Sequence, residues 1–86
     1  MPEISRFLGI SIRMYRDDDV PAHFHAIYGE FSAQISIRNP GILQGKLPGR
    51  VLGCVIEWAV LHEQELAQRW DAAQGDEPVE KIAPLI

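Results

Sequence analysis

The chain has 86 residues, 47% of them hydrophobic and 23% charged, with a formal net charge of −4. These values argue against disorder and leave room for one domain with a thin core, burying about 60–65% of the surface that its unfolded form exposes. A single cysteine, Cys54, excludes an internal disulfide and any zinc site built from several thiolates. There is no run of about 18 apolar residues, so no transmembrane helix is expected. Pro2 and Glu3 open the chain and Arg6 and Arg13 interrupt its first apolar stretch. That pattern does not read as a secretory signal, and a reduced, cytoplasmic protein is the expectation. Charge is uneven: residues 1–50 carry +1 and residues 51–86 carry −5. A net-acidic chain is a poor general polyanion binder, although its first half could hold a local basic face.

The stretch from Phe7 to Arg16 alternates, with Leu8, Ile10, Ile12 and Met14 on one face and Phe7, Gly9, Ser11, Arg13 and Tyr15 on the other. Period two predicts a strand. Asp17, Asp18, Asp19, Val20 and Pro21 end it in a connecting loop. His23 to Tyr28 predicts a second strand, and Gly29-Glu30 a two-residue hairpin turn. Phe31 to Arg38 is the cleanest alternation and the third strand, closed by Asn39-Pro40-Gly41. Ile42 to Leu47 reads as a marginal fourth strand. Pro48 suits a helix start, and Gly75 fits the residue just past the helix end. Between them Val51, Leu52, Val55, Trp58, Ala59, His62, Leu66 and Trp70 form one apolar stripe.

The expected fold is α+β. An antiparallel sheet of three strands, or four, carries one long C-terminal helix on one face. It forms a single domain, with a core over about residues 4–74 and a docked tail over 75–86. The helix should cover Ile10, Ile12, Met14, Phe24, Ala26, Ala33, Ile35 and Ile37. The other face then gathers Ser11, Arg13, Tyr15, His23, His25, Gln34, Ser36 and Arg38, which makes it polar and mildly basic. Strands of about eight residues span roughly 27 Å, and a helix of about 25 residues roughly 37 Å. Leu66 and Trp70 would overhang the sheet and Val60 and Leu61 would lie off the stripe, so a homodimer is expected to cover them.

His23 and His25, two apart in a strand, would project from one face about 7 Å apart, within reach of a shared metal or substrate group. Asp18 or Asp19 could add a carboxylate. Two half-exposed histidines on a polar face is the plainer reading, and no resident metal or cofactor is expected. The Asp17–Asp19 run lacks the glycine and distal glutamate of a calcium loop and reads as a solvated turn. Lys46 and Arg50 flank a helix start, where anions are favoured, but the glycine spacing is not that of a nucleotide-binding loop. His62 inside the stripe reads as a buried histidine bonded to backbone or tail, and Cys54 as a small buried hydrophobe.

The strings M-P-E-I-S-R-F, I-R-M-Y, P-A-H-F-H-A, Y-G-E-F, G-K-L-P-G-R and E-W-A-V-L-H-E-Q-E-L run through nearly the whole chain. In this order they resemble the small prokaryotic family catalogued as domain of unknown function 4160. The family's usual Pro-Pro-His-Phe-His has Ala22 in place of its second proline here. The resemblance implies a small bacterial protein often encoded beside another small protein, in pairs similar to toxin–antitoxin modules, and it supplies no catalytic residues. A looser likeness is to HicA-type ribonuclease toxins, which place a strand histidine before a Gly-Lys loop and a helix. This chain lacks the helix that such toxins carry before their sheet.

Two functional classes follow. The first is a binding module that contacts the product of a neighbouring gene, or nucleic acid, through Arg13, Tyr15, His23, His25, Gln34, Arg38, Lys46 and Arg50. The second is a small ribonuclease. His23 or His25 would be its general acid or base, Tyr15 the substitute for a second one, and Arg13, Arg38 or Lys46 would stabilise phosphorane charge.

Overall fold

The computed structural model describes residues 3–15, 21–75 and 77–86. Five strands, β1 (Glu3–Phe7), β2 (Ile10–Arg13), β3 (His23–Tyr28), β4 (Phe31–Ser36) and β5 (Ile42–Lys46), precede two helices, α1 (Gly49–Leu61) and α2 (Glu63–Gln74). The strands form one antiparallel meander in the order β1-β2-β3-β4-β5. The α+β class and the antiparallel sheet agree with the expectation; the count of strands and the single long helix do not.

The first correction lies at Leu8-Gly9. What reads as one strand from Phe7 onward is a hairpin, with Phe7 opposite Ile10 across a two-residue turn. Leu8 has φ 52° and Gly9 φ 77°, the pair of positive angles that matches the twist of flanking strands. Leu8 is therefore 53% exposed, and Phe7 is buried against Trp58, with ring centroids 5.5 Å apart. The alternation count put both on the wrong side. Leucine pays for its left-handed backbone, a strain of about 1–2 kcal/mol that Asn tolerates better. Leu8→Asn is expected to raise stability by about 0.5–1 kcal/mol in urea denaturation; an unchanged or lower midpoint would refute the strain. Arg16, Val20 and the Asp17–Asp19 run lie outside the described residues.

The second correction is that residues 42–46 form a full fifth strand. Ser36 and Asn39 build its turn. The Ser36 N–H donates to the Gly41 carbonyl at 2.9 Å, the Gly41 N–H donates to Ser36 Oγ at 3.1 Å, and Asn39 takes φ 53°. The register shifts between Gln34 and Ile35, so that Gln34 faces Gln44 and Ile35 faces Ile42, with Leu43 as the extra residue of a bulge.

The third correction is the helix. Pro48 is its N-cap, and the Leu52 N–H bonds the Pro48 carbonyl at 2.8 Å. The helical path breaks at His62, whose φ of −120° leaves the helical region. Its N–H is forked between the carbonyls of Trp58 (3.1 Å) and Ala59 (3.3 Å). A straight run of 25 residues would extend about 37 Å, beyond the 33 Å of the longest molecular axis. The break instead turns α2 so that Leu66, Trp70 and Ala73 are buried in the same chain. The overhang that motivated a homodimer does not occur at Leu66 or Trp70; Val60 and Leu61 remain exposed.

One core joins these elements. Ile10, Ile12, Met14, Phe24, Ala26, Ala33, Ile35 and Ile37 are all buried, with Val51, Val55, Trp58 and Ala59 of α1. Ile4 and Phe7 of β1 join them. The tail docks on the body. Ile82 is buried and its N–H donates to the Ile4 carbonyl at 2.7 Å, Trp58 Nε1–H donates to the Ala83 carbonyl at 2.8 Å, and Arg69 Nε–H donates to the Glu80 carbonyl at 3.0 Å. The first of these bonds satisfies part of the outer edge of β1.

Candidate functional site

Side chains facing away from the core are set in rows by the strand register. Arg13, His25, Gln34 and Gln44 stand opposite one another across β2, β3, β4 and β5, and Ser11, Ile27, Ser32 and Lys46 form the next row. Period two puts every second residue of each strand on this face, and in-register pairing lines them up. A shallow depression of about 140 Å³ opens on it, lined by His25, Ser32, Gln34 and Gln44 with Ala33 and Gly45.

The β1 edge of this face holds a linked charge group. Ser11 Oγ–H donates to Glu3 Oε2 at 2.5 Å, Arg13 Nε–H donates to Ser11 Oγ at 3.1 Å, and Arg6 pairs with the same carboxylate oxygen at 2.8 Å. The Ser11 hydroxyl, and after it the Arg6 guanidinium, hold the Glu3 carboxyl below the ordinary glutamate range. Arg6, Arg13 and Lys46 outnumber Glu3 here, so the described face is locally basic on a net-acidic chain.

The two histidines part company. His25 is half-buried, with its ring edge-on to Tyr15 at 4.5 Å between centroids. His23, the first residue of β3, is only 4% exposed and lies between His25 (5.1 Å) and Trp70 of α2 (5.4 Å). Its Nδ1 is 2.8 Å from the Pro21 carbonyl. A carbonyl only accepts, so Nδ1 carries the proton. The expected pair of half-exposed imidazoles is thus corrected to one accessible ring and one packed under α2, because the break at His62 brings Trp70 over the end of the sheet. Tyr15, His25, His23 and Trp70 form a continuous row of rings from the polar face to α2.

The expected site residues divide accordingly. Arg13, Tyr15, His25 and Gln34 are brought together, and Lys46 stands one row away. Arg38 is exposed beside a cleft of about 600 Å³ with Val60, Leu61 and Glu63, and Arg50 lines an apolar cavity of about 300 Å³ with Leu8, Tyr28 and Cys54. Both lie apart from the polar face. His62 is half-buried, and among the described residues its ring bonds a side chain rather than backbone or tail: Nδ1–H donates to Glu65 Oε1 at 2.6 Å. Cys54 is half-buried rather than enclosed. Glu3, Arg6, Ser32 and Gln44 were missed. The period-two count of Phe31–Arg38 already puts Ser32 on this face, and would have added Gln44 had Ile42–Lys46 been taken as a full strand. Among the described residues, no three His, Cys, Asp or Glu groups gather closely enough to hold a metal ion, and no helix is long and apolar enough to cross a membrane. Asp18 and Asp19, considered as added ligands, lie outside the described residues.

The fold and this face define a small α+β protein with a five-stranded meander, covered by helices on one side and polar on the other. Residues 9–71 match the model of the family described as Domain of unknown function (DUF4160), and the chain belongs to that family. The matched span runs from the turn before β2 to within α2. Neither a search of the curated proteins nor one of the solved structures found a match.

Proposed function

We propose that this chain is a binding module that recognises a partner protein, the product of a neighbouring gene in a pair of toxin–antitoxin type, through the polar sheet face. The observation that carries the reading is the row Arg13–His25–Gln34–Gln44, four hydrogen-bonding side chains in register across four strands. Such a row suits a flat protein surface with complementary donors and acceptors. The net charge of −4 weighs against a polyanion as the main ligand.

Nucleic acid is kept as a second reading because Arg6, Arg13 and Lys46 outnumber Glu3 on the face. The ribonuclease reading has less support. One imidazole of the expected pair is packed beneath Trp70, and the His25 ring stands between it and Tyr15. A homodimer also has less support, since Leu66 and Trp70 are buried within one chain.

Co-expression with the adjacent gene's product, followed by calorimetry of the purified pair, tests the reading. Arg13→Gln combined with His25→Ala is expected to weaken the complex at least tenfold, about 1.4 kcal/mol, with the melting temperature little changed. Unaltered affinity would remove the face from the interface. Degradation of added RNA by the wild type, lost in the same variant, would replace the binding reading with the nuclease one.

A further inference from the structure

We propose that the outer edge of β5 accepts an extended acidic segment of a partner protein as a sixth strand of the sheet. The backbone edge of β5 is distinct from the polar face, although Gln44 and Lys46 of β5 stand in the rows of that face; Leu43→Glu, which alters no residue of those rows, separates this inference from the reading above.

A five-stranded meander has two edges. The outer edge of β1 is engaged by the tail through the Ile82 N–H and the Ile4 carbonyl. β5 is the other end of the order, and none of the described strands pairs with its outer side. All five of its residues are exposed, and two of them, Ile42 (39%) and Leu43 (45%), are large and apolar. Backbone donors and acceptors on such an edge bind an incoming strand, and side chains of alternate residues select it.

The selection is electrostatic. From Phe31 to Ile56 the chain holds Arg38, Lys46 and Arg50 and no Asp or Glu. That segment is the whole of β4, β5 and the first half of α1. Lys46 is the cation on the edge strand itself; Arg38 follows β4, beside a cleft that also holds Glu63 and Glu65, and Arg50 lies at the following helix start. A second copy of the edge would bring like charges together, whereas an acidic strand meets them with opposite sign. The Leu43 bulge and Lys46 work in the same direction. Bulges and edge lysines discourage indiscriminate pairing between identical edges, yet Lys46 adds attraction for a carboxylate opposite it. Apolar Ile42 and Leu43 then ask for apolar residues alternating with the acids.

A blocked octapeptide of alternating valine and glutamate is the probe, titrated into the full chain and followed by amide exchange and chemical-shift change. Saturable binding is expected, with exchange slowed at amides within residues 42–46. The all-lysine counterpart should bind at least tenfold more weakly. Leu43→Glu and Lys46→Glu, both at exposed positions, should each weaken the acidic peptide at least tenfold, while Leu43→Lys leaves it within about threefold. No saturable binding, equal binding of the lysine peptide, or protection on residues 11–13 and 32–34 without protection of β5 would each overturn the proposal. So would concentration-dependent protection of β5 in the free protein with sedimentation as a dimer, which would give the edge to a second copy.

Discussion

Trp58→Ala is expected to leave little folded protein at 37 °C. Trp58 is the largest of the fully buried side chains. Its ring touches Phe7 of β1, Phe24 of β3 and His62 at the helix break, at centroid distances of 5.5, 5.7 and 5.4 Å. Its Nε1–H also reaches the Ala83 carbonyl. One residue therefore ties the first hairpin, the central strand, α1 and the tail together. Truncation to alanine costs about 3–5 kcal/mol, against a total of roughly 4–13 kcal/mol for a chain of this length. Trp58→Phe keeps most of the buried surface and loses the tail bond, for a cost of about 1 kcal/mol. Urea denaturation of both variants checks the order. A Trp58→Ala loss below about 1.5 kcal/mol would mean that the core can collapse around the missing ring.

Gly45→Ala carries the second large effect. Gly45 sits in β5 with φ 85°, and a Cβ there would overlap the Ser32 carbonyl oxygen and lie 2.9 Å from the Ala33 Cα, both backbone atoms of β4. Neither can swing aside as a flexible side chain would, so β5 must separate from β4 or the bulge must flatten. We expect a loss of about 2–3 kcal/mol. Gly29→Ala is the matched control. Its φ is also positive, at 58°, but a Cβ there meets nothing within 4 Å. It should cost only the backbone strain, about 1 kcal/mol. The difference between the two midpoints isolates the close approach of the strands. Equal losses would show that the edge strand yields freely, and the acidic-strand proposal would then concern a movable edge.

How much of the fold was legible depended on whether a local signal existed. The core face of β2, β3 and β4 was readable because period two places a side chain on a face whatever surrounds it. Tyr28-Gly29-Glu30-Phe31 was readable because glycine stands where the tight turn needs a positive φ. Leu8-Gly9 was not: the flanking residues keep alternating through the turn, and leucine is an uncommon choice for a left-handed position. β5 was underrated because an exposed edge strand has no buried face to pattern it. The polar row was half legible. Its members in β2, β3 and β4 were named, while Gln44 depended on a register that includes a bulge.

By itself, the sequence determined the α+β class, the apolar set of the central strands, the helical stripe and the family. Each is a local periodicity or a string of residues, and none requires knowing what touches what. Only the tertiary structure decided that the helix breaks at His62, that Trp70 therefore covers His23, and that Arg38 and Arg50 stand away from Arg13 and His25. The break has no proline or glycine to announce it. With the break, Leu66 and Trp70 are buried in the same chain, whereas a straight run would extend roughly 37 Å, longer than the 33 Å of the folded molecule's longest axis. That single choice takes one of the two histidines off the open face.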